Sequence, residues 1–495
     1  MRTLPLTVDE FDSLAAGHGS DSALAHLVAG QLAKRRLLLW GAVRDARRLG
    51  IPVDEPVALL LRVLERSPAA FDEVIAHPQV DAWAAGFPEK IDINYLYGLA
   101  AAAAMRARMP FALDTAASLP GLGLVTGKEL TFDGTRVTTG ELQSLLLLDL
   151  TDVDGPVIAV DHLDQYRDRY GETVAAQLPD PDRFAARWRE AWELLAADHP
   201  AHARAVRAML RSFVPLEPTT DGMERSGVSS RANGSIAIAL PATAAAMARL
   251  VLHETQHLKL DALLDLVDLT QGDGRPRHYA PWRGDPRPAR SLLQGTYAHL
   301  GVAEFWRGRD ARQFAYWHGQ TARAAITLAA SGELTADGER FVAGMRATLD
   351  DWADDPVPAA DRHAADVCAK VSELVWRLGH RALSGDALVA AWRAGTPAPA
   401  DLEGEAQQGR SGGARILSAI HGGRLSDGDR ELLAGDDHAA AQHYVQRITA
   451  GDATNDDWAG LAVATAATAR PEVARDVYAA VRPADPRDLL RWSAG

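Results

Sequence analysis

Ser235-Ile-Ala-Ile-Ala-Leu240-Pro-Ala-Thr-Ala-Ala-Ala-Met-Ala-Arg-Leu-Val-Leu-His253-Glu254-Thr255-Gln256-His257-Leu-Lys259-Leu260 carries two periodicities in succession. The first six residues alternate apolar and small side chains and predict a strand. The residues after Leu240 are rich in helix formers and predict a helix from about Pro241 to Thr270. Pro241 suits a first helical position, and Gln271-Gly272-Asp273-Gly274 suits a stop. Residues four apart on a helix share a face, so His253 and His257 stand one turn apart and are placed to hold a metal. Neutral imidazole suits zinc and iron alike.

Two histidines do not complete a catalytic metal site, which needs a third protein ligand and an open position. The next segment with candidates is Leu292–Gly308, which contains His299 and Glu304. They are five residues apart, about 140° around a helix, so one metal does not readily take both. His299 is preferred, because Gly295 and Ala303 on its face would let this helix approach the motif helix closely. If Glu304 is the ligand instead, the pattern becomes that of a zinc peptidase with Glu254 as general base. Between the two segments lies Tyr279-Ala-Pro-Trp-Arg283-Gly-Asp285-Pro-Arg287-Pro288. Three prolines stiffen it, and Arg283 and Arg287 suit a carboxylate cradle, since guanidinium binds carboxylate bidentately. The structural alternative pairs them with Asp285 or stacks them on Trp282. Lys259 falls off the ligand face and reads as a surface or helix-end cation.

Outward from this centre the chain is mainly helical with a small β element. Residues 1–115 read as an N-terminal helical region, with helical spacing in Leu24–Leu49, Val57–Leu64 and Tyr95–Arg108. Residues 116–395 form the metal-binding region. It holds β-like runs at Leu122–Val125, Leu130–Phe132, Arg136–Thr138 and Val157–Val160, a hairpin turn at Asp133-Gly134, and helix over 181–213. Helix resumes from about Ala289 to Leu383, with breaks near Gly332 and Pro356. Residues 396–413 read as a linker and 414–495 as a C-terminal helical region.

Of the 495 residues 47% are hydrophobic and 24% charged, as in ordinary globular chains, and the net charge is −14. That acidity argues against nonspecific nucleic-acid binding and against anionic membranes. The single cysteine, Cys368, excludes an intrachain disulfide and a cysteine-ligated iron–sulfur cluster, and reads as a buried small hydrophobe. No apolar run reaches membrane-spanning or signal-peptide length, so a cytoplasmic protein is expected.

Three other signals are set aside. His162-Leu163-Asp164 matches an H-x-D ligand pair, but the chain lacks the regular strands of a cupin-like barrel. Asp161 reads instead as the N-cap of a helix over His162–Tyr170. Gly121–Lys128 has the wrong glycine spacing for a phosphate loop, and Glu129 stands where Ser or Thr is needed. Trp306 and Trp317 read as core.

Three blocks in order now carry a resemblance: His253-Glu-Thr-Gln-His257-Leu-Lys259-Leu260, then Tyr279 to Pro288, then Gly295-Thr-Tyr-Ala-His299 to Phe305-Trp306. Together, over about residues 226–307, they resemble the HExxH-type 2-oxoglutarate-dependent peptide β-hydroxylases of ribosomal peptide modification. The resemblance implies a multi-helical HExxH metalloenzyme fold and not a cupin barrel. It implies Fe(II) on His253, His257 and His299, with 2-oxoglutarate as cosubstrate and Arg283 or Arg287 on its distal carboxylate. Its substrate would be a precursor peptide, hydroxylated at a β-carbon. With one cysteine the chain cannot carry the radical SAM cluster of fused family members, so any such maturase is a separate partner. Glu254 then becomes an orienting residue. The alternatives are a zinc metallopeptidase and a noncatalytic helical peptide-binding protein with a structural metal.

Overall fold

The computed structural model describes residues 6–86, 92–113, 118–218, 224–382, 385–398, 405–406, 413–482 and 484–494. The fold is mainly α with a small β component. The chain forms two compact units, Met1–Asp268 and Leu269–Gly495. The expected boundaries at 115 and 395 fall inside these units, and the division instead follows the motif helix. Most of the expected linker 396–413 lies outside the described residues. Within it, Glu405–Ala406 pairs antiparallel with Arg381–Ala382.

The first unit opens with helices Val8–Ala15, Asp21–Arg48, Asp54–Arg66, Pro68–Ile75, Gln79–Ala84 and Ile93–Arg106. Asp54–Arg66 buries one apolar stripe, Val57, Leu60 and Val63, as its spacing predicts, whereas Gln79–Ala84 is buried all round. The last of the six, Ile93–Arg106, carries an unbroken alanine run, Ala100–Ala104, is capped by Asp92 on Asn94, and buries Leu96 and Leu99 through Ala104. A long strand, Gly123–Phe132, pairs antiparallel with Val137–Ser144, Phe111–Leu113 and Ser118–Leu119. The expected hairpin turn is present. Asp133 Oδ1 accepts from the Thr135 and Arg136 amides at 2.8 and 2.9 Å, and Gly134 takes φ +100°. The Gly121–Lys128 stretch runs into this strand.

A second sheet orders its strands as Leu146–Asp149, Val157–Val160, Ser212–Pro215, Ser235–Ile238 and Ser226–Gly227. The three central strands are parallel, and all residues of Ser212–Pro215 and Ser235–Ile238 are buried. Burial on both faces explains why Ser212–Pro215 shows no alternation and reads as the end of the preceding helix. That expected helix over 181–213 is two helices, Pro181–Asp198 and Pro200–Met209, broken because Pro200 cannot continue a helix with its own amide. Phe184, Trp188 and Trp192 pack with Phe213 beneath them. The motif helix, Ala244–Leu264, packs on these two helices and on Asp21–Arg48.

The second unit contains helices Ala289–Trp306, Ala311–Ala330, Ala336–Asp351 and Ala359–His380, then shorter ones from Gly385 to Ala494. The C-terminal helices close around Ala359–His380, burying Val371, Leu374, Val375 and Leu378 with Leu461, Val473 and Leu489. Cys368 lies in this core, as expected, and burial pushes its thiol up to about 12. Among the described residues no helix is long and apolar enough to cross a membrane.

Candidate metal centre

The motif helix starts later than its sequence suggests. Thr243 is the N-cap, its hydroxyl accepting from the Ala246 amide at 3.1 Å, and Pro241 lies outside. A side-chain cap satisfies an orphan amide, which Pro241 at a first helical position would not do. The helix ends at Leu264 and not at Thr270. Three long-range bonds fix its second half. Asn233 Nδ2 donates to the Leu258 carbonyl at 2.9 Å, and Lys259 Nζ donates to the Gly17 and His18 carbonyls at 2.5 and 3.0 Å. Lys259 is therefore no surface cation. It is 1% exposed, and its ammonium sits on carbonyls of the loop after the first helix.

His253 and His257 are half-buried, whereas the three residues between them are buried. Their rings meet edge to face, with centroids 4.9 Å apart. A nitrogen of each ring and a carboxylate oxygen of Glu254 all lie within 4.8 Å of one another. Glu254 is 4% exposed, and Ser226 Oγ donates to its Oε1 at 2.7 Å. Burial raises the Glu254 carboxyl above its ordinary value, against the opposing pull of His257 and the Ser226 hydroxyl. Two imidazoles with an adjoining carboxylate fit a divalent transition-metal ion. Ser226 was not identifiable from the sequence, because a serine 28 positions away carries no local signal. The strand pairing of Ser226–Gly227 with Ser235–Ile238 brings it to the site.

The remaining candidates belong to the second unit. Arg283 Nε donates to Asp285 Oδ1 at 3.1 Å, and Arg287 Nη1 to Asp285 Oδ2 at 2.9 Å. Burial works to raise the Asp285 carboxyl, and the Arg287 and Arg283 guanidiniums outweigh it and hold it below its usual range. The loop is pinned by His278, paired with Arg287 across a β-bridge and hydrogen-bonded to Glu333 at 2.9 Å. His299 is buried on Ala289–Trp306. Its ring stacks on Trp282 with centroids 4.1 Å apart and planes 11° apart, and Trp317 covers it at 4.8 Å. Nδ1–H donates to the Gly295 carbonyl at 2.8 Å, which fixes the ring's orientation. Gly295 is glycine because a Cβ there would meet the Trp282 indole at 2.3 Å. Glu304 is half-buried on the same helix.

His162–Tyr170 is not a helix. Asp161 instead closes a turn, its Oδ1 accepting the Asp164 amide at 3.0 Å, and Asp164 Oδ1 accepts the Tyr166 amide at 2.8 Å. Aspartates compete with the backbone for amides in this way and favour turns. No protein-family model matches this chain, and no curated protein is significantly similar to it.

Proposed function

We propose that this chain is an Fe(II)/2-oxoglutarate-dependent oxygenase that hydroxylates a β-carbon in a ribosomally made precursor peptide. The observation that supports it is the single helical turn of His253, Glu254 and His257, with the glutamate engaged by Ser226. His253 and His257 hold the metal, and the sequence resemblance adds His299 as third ligand. With 2-oxoglutarate and O₂, the bound iron supplies hydroxylation of an unactivated C–H bond. Glu254, with Oε1 taken by the Ser226 hydroxyl, orients the site and does not activate water. Arg283 and Arg287 are the candidate cations for the distal carboxylate of 2-oxoglutarate, exchanging Asp285 for it. The protein works in the cytoplasm on a peptide, and any radical SAM maturase is a separate chain.

A zinc metallopeptidase is the second reading, and one observation favours it. Burial raises the Glu254 carboxyl toward the range a general base needs. Anaerobic reconstitution separates the two. The oxygenase reading expects succinate only when Fe(II), 2-oxoglutarate and O₂ are all present, and none from His257→Ala or His299→Ala. Cleaved peptides with bound zinc and no succinate overturn it. If neither activity appears and chelation unfolds the protein, the metal is structural and the chain is a noncatalytic peptide binder.

A further inference from the structure

A second metal-capable cluster lies in the first unit, built from His77, Asp161 and Asp164. His77 sits in the turn between helices Pro68–Ile75 and Gln79–Ala84. Asp161 follows strand Val157–Val160 directly, and its amide donates to the Phe213 carbonyl of the neighbouring strand at 2.7 Å. All three side chains are buried, exposed by 5%, 1% and 3% respectively. His77 Nε2 lies 3.2 Å from Asp161 Oδ2 and 3.6 Å from Asp164 Oδ2.

These atoms converge at ion-pair distance. Neither His77 Nε2 nor Asp161 Oδ2 has a hydrogen-bond partner, although each is sealed from solvent. Such orphaned buried atoms are rare in folded proteins, and each calls for an explanation. The other carboxylate oxygens, and Asp164 Oδ2 which also faces His77, each accept a hydrogen bond. Asp161 Oδ1 accepts the Asp164 amide, Asp164 Oδ1 accepts the Tyr166 amide, and Asp164 Oδ2 accepts the Tyr95 hydroxyl at 2.8 Å. Every one of these bonds has the carboxylate as acceptor, and two aspartates face the one imidazole. A divalent cation with neutral imidazole neutralises both and supplies the partner that the two orphan atoms lack.

We propose that His77, Asp161 and Asp164 form a closed structural site for a divalent transition-metal ion, independent of the HExxH turn. Its ligand set of one imidazole and two carboxylates suits zinc or manganese. Tyr95 and the Tyr166 amide hold Asp164 from outside, as outer partners hold ligating carboxylates in metal sites. Complete burial marks the site as structural, since a catalytic metal keeps an open position. The ion ties the turn beneath the N-terminal helices to the end of the sheet whose strand leads into the motif helix.

The test uses the full chain with the motif histidines removed, His253→Ala/His257→Ala, so that metal on the HExxH turn does not contribute. Equilibration with Zn(II) or Mn(II), gel filtration and elemental analysis should give about one equivalent of one of these ions per chain. The ion should raise the unfolding temperature by several degrees, because it binds only the native state. Adding His77→Gln, Asp161→Asn or Asp164→Asn should abolish both effects. Circular dichroism checks that each variant is folded, and His77→Gln serves if the aspartate variants are not. In the doubly substituted parent itself, chelation should lower the unfolding temperature, a readout that needs no further variant. A folded parent that binds neither ion, with an unfolding temperature insensitive to chelator, overturns the proposal and leaves an imidazolium–carboxylate pair. An equivalent of metal that survives His77→Gln also overturns it.

Discussion

Buried acids in the two units are held by different partners. In the second unit Arg415 reaches Asp429 with Nε at 2.6 Å and Nη2 at 3.1 Å, and Asp457 with Nη2 at 3.1 Å. Arg447 adds a bond to Asp457 at 3.0 Å, and the Tyr444 hydroxyl one to Asp429 at 2.9 Å. Burial would raise the Asp429 carboxyl, but Arg415 and Ser426 outweigh it and hold it below its ordinary value. In the first unit the outcome is mixed: burial would raise Asp161, but His77 outweighs it and holds that carboxyl below its ordinary value. Asp81, Asp164 and Glu254 are all raised above their usual values. Even Asp81, 3.1 Å from Arg35, forms no hydrogen bond with it. Buried acids cost stability unless paired with good geometry. The second unit meets that requirement with its own arginines and is a structural clamp. The first unit sets Asp161 and Asp164 beside His77, and Glu254 beside His253 and His257, an arrangement that suits an added cation.

The largest test of this contrast is Arg415→Ala, which strands Asp429 and Asp457 without their shared cation. We expect a loss of about 3–5 kcal/mol in urea unfolding monitored on the second unit. A loss below about 1 kcal/mol would remove the distinction. Next is Ser226→Ala, which should weaken metal binding on the HExxH turn by about 10–100-fold in a calorimetric titration, as outer-partner losses usually do. Gly460→Ala would place a Cβ 2.3 Å from the Tyr444 ring, which itself holds Asp429. Overpacking of that kind costs about 1–3 kcal/mol, readable as a lowered unfolding temperature.

Acid should act with opposite sign on Asp429 and on Asp81 and Glu254. Asp429 is depressed in the folded state, so its stabilisation is present above the unfolded value of 3.8 and is lost as pH falls below it. Asp81 and Glu254 are raised, so their ionised forms oppose folding. Lowering the pH through their folded values toward 3.8 and 4.5 relieves that opposition. Without added metal, hydrogen exchange in the full chain should show the motif helix gaining protection as pH falls from neutral toward about 5, near the upper of these values. The Asp427–Ala434 helix should lose protection below about pH 4. The smallest effect is Arg283→Ala, which breaks a pair exposed by 45% and 24% and should change stability by less than about 1 kcal/mol. Any loss of succinate formation in that variant then reports on cosubstrate binding.

Helices, the hairpin and the HExxH turn were legible because their signals are local. Period 3.6 marks Asp21–Arg48 and Ile93–Arg106, and Asp133-Gly134 is its own turn. What failed had competing local readings. Asp161 resembles a helix cap, and only the strand beside it shows that it closes a turn. Lys259 resembles a surface lysine, and only the Gly17 and His18 carbonyls, 242 and 241 residues away, explain its burial. Ser212–Pro215, buried on both faces, lacks the alternation that reveals a strand.

The sequence by itself therefore determined the mainly helical fold and the pairing of His253 with His257, because helical geometry alone puts residues four apart on one face. Only the tertiary structure decided that Ser226 would grip Glu254, that Trp282 and Trp317 would enclose His299, and that His77 would meet Asp161 and Asp164. Those meetings depend on strand pairing and side-chain packing between distant segments, and no periodicity records which distant segments will touch.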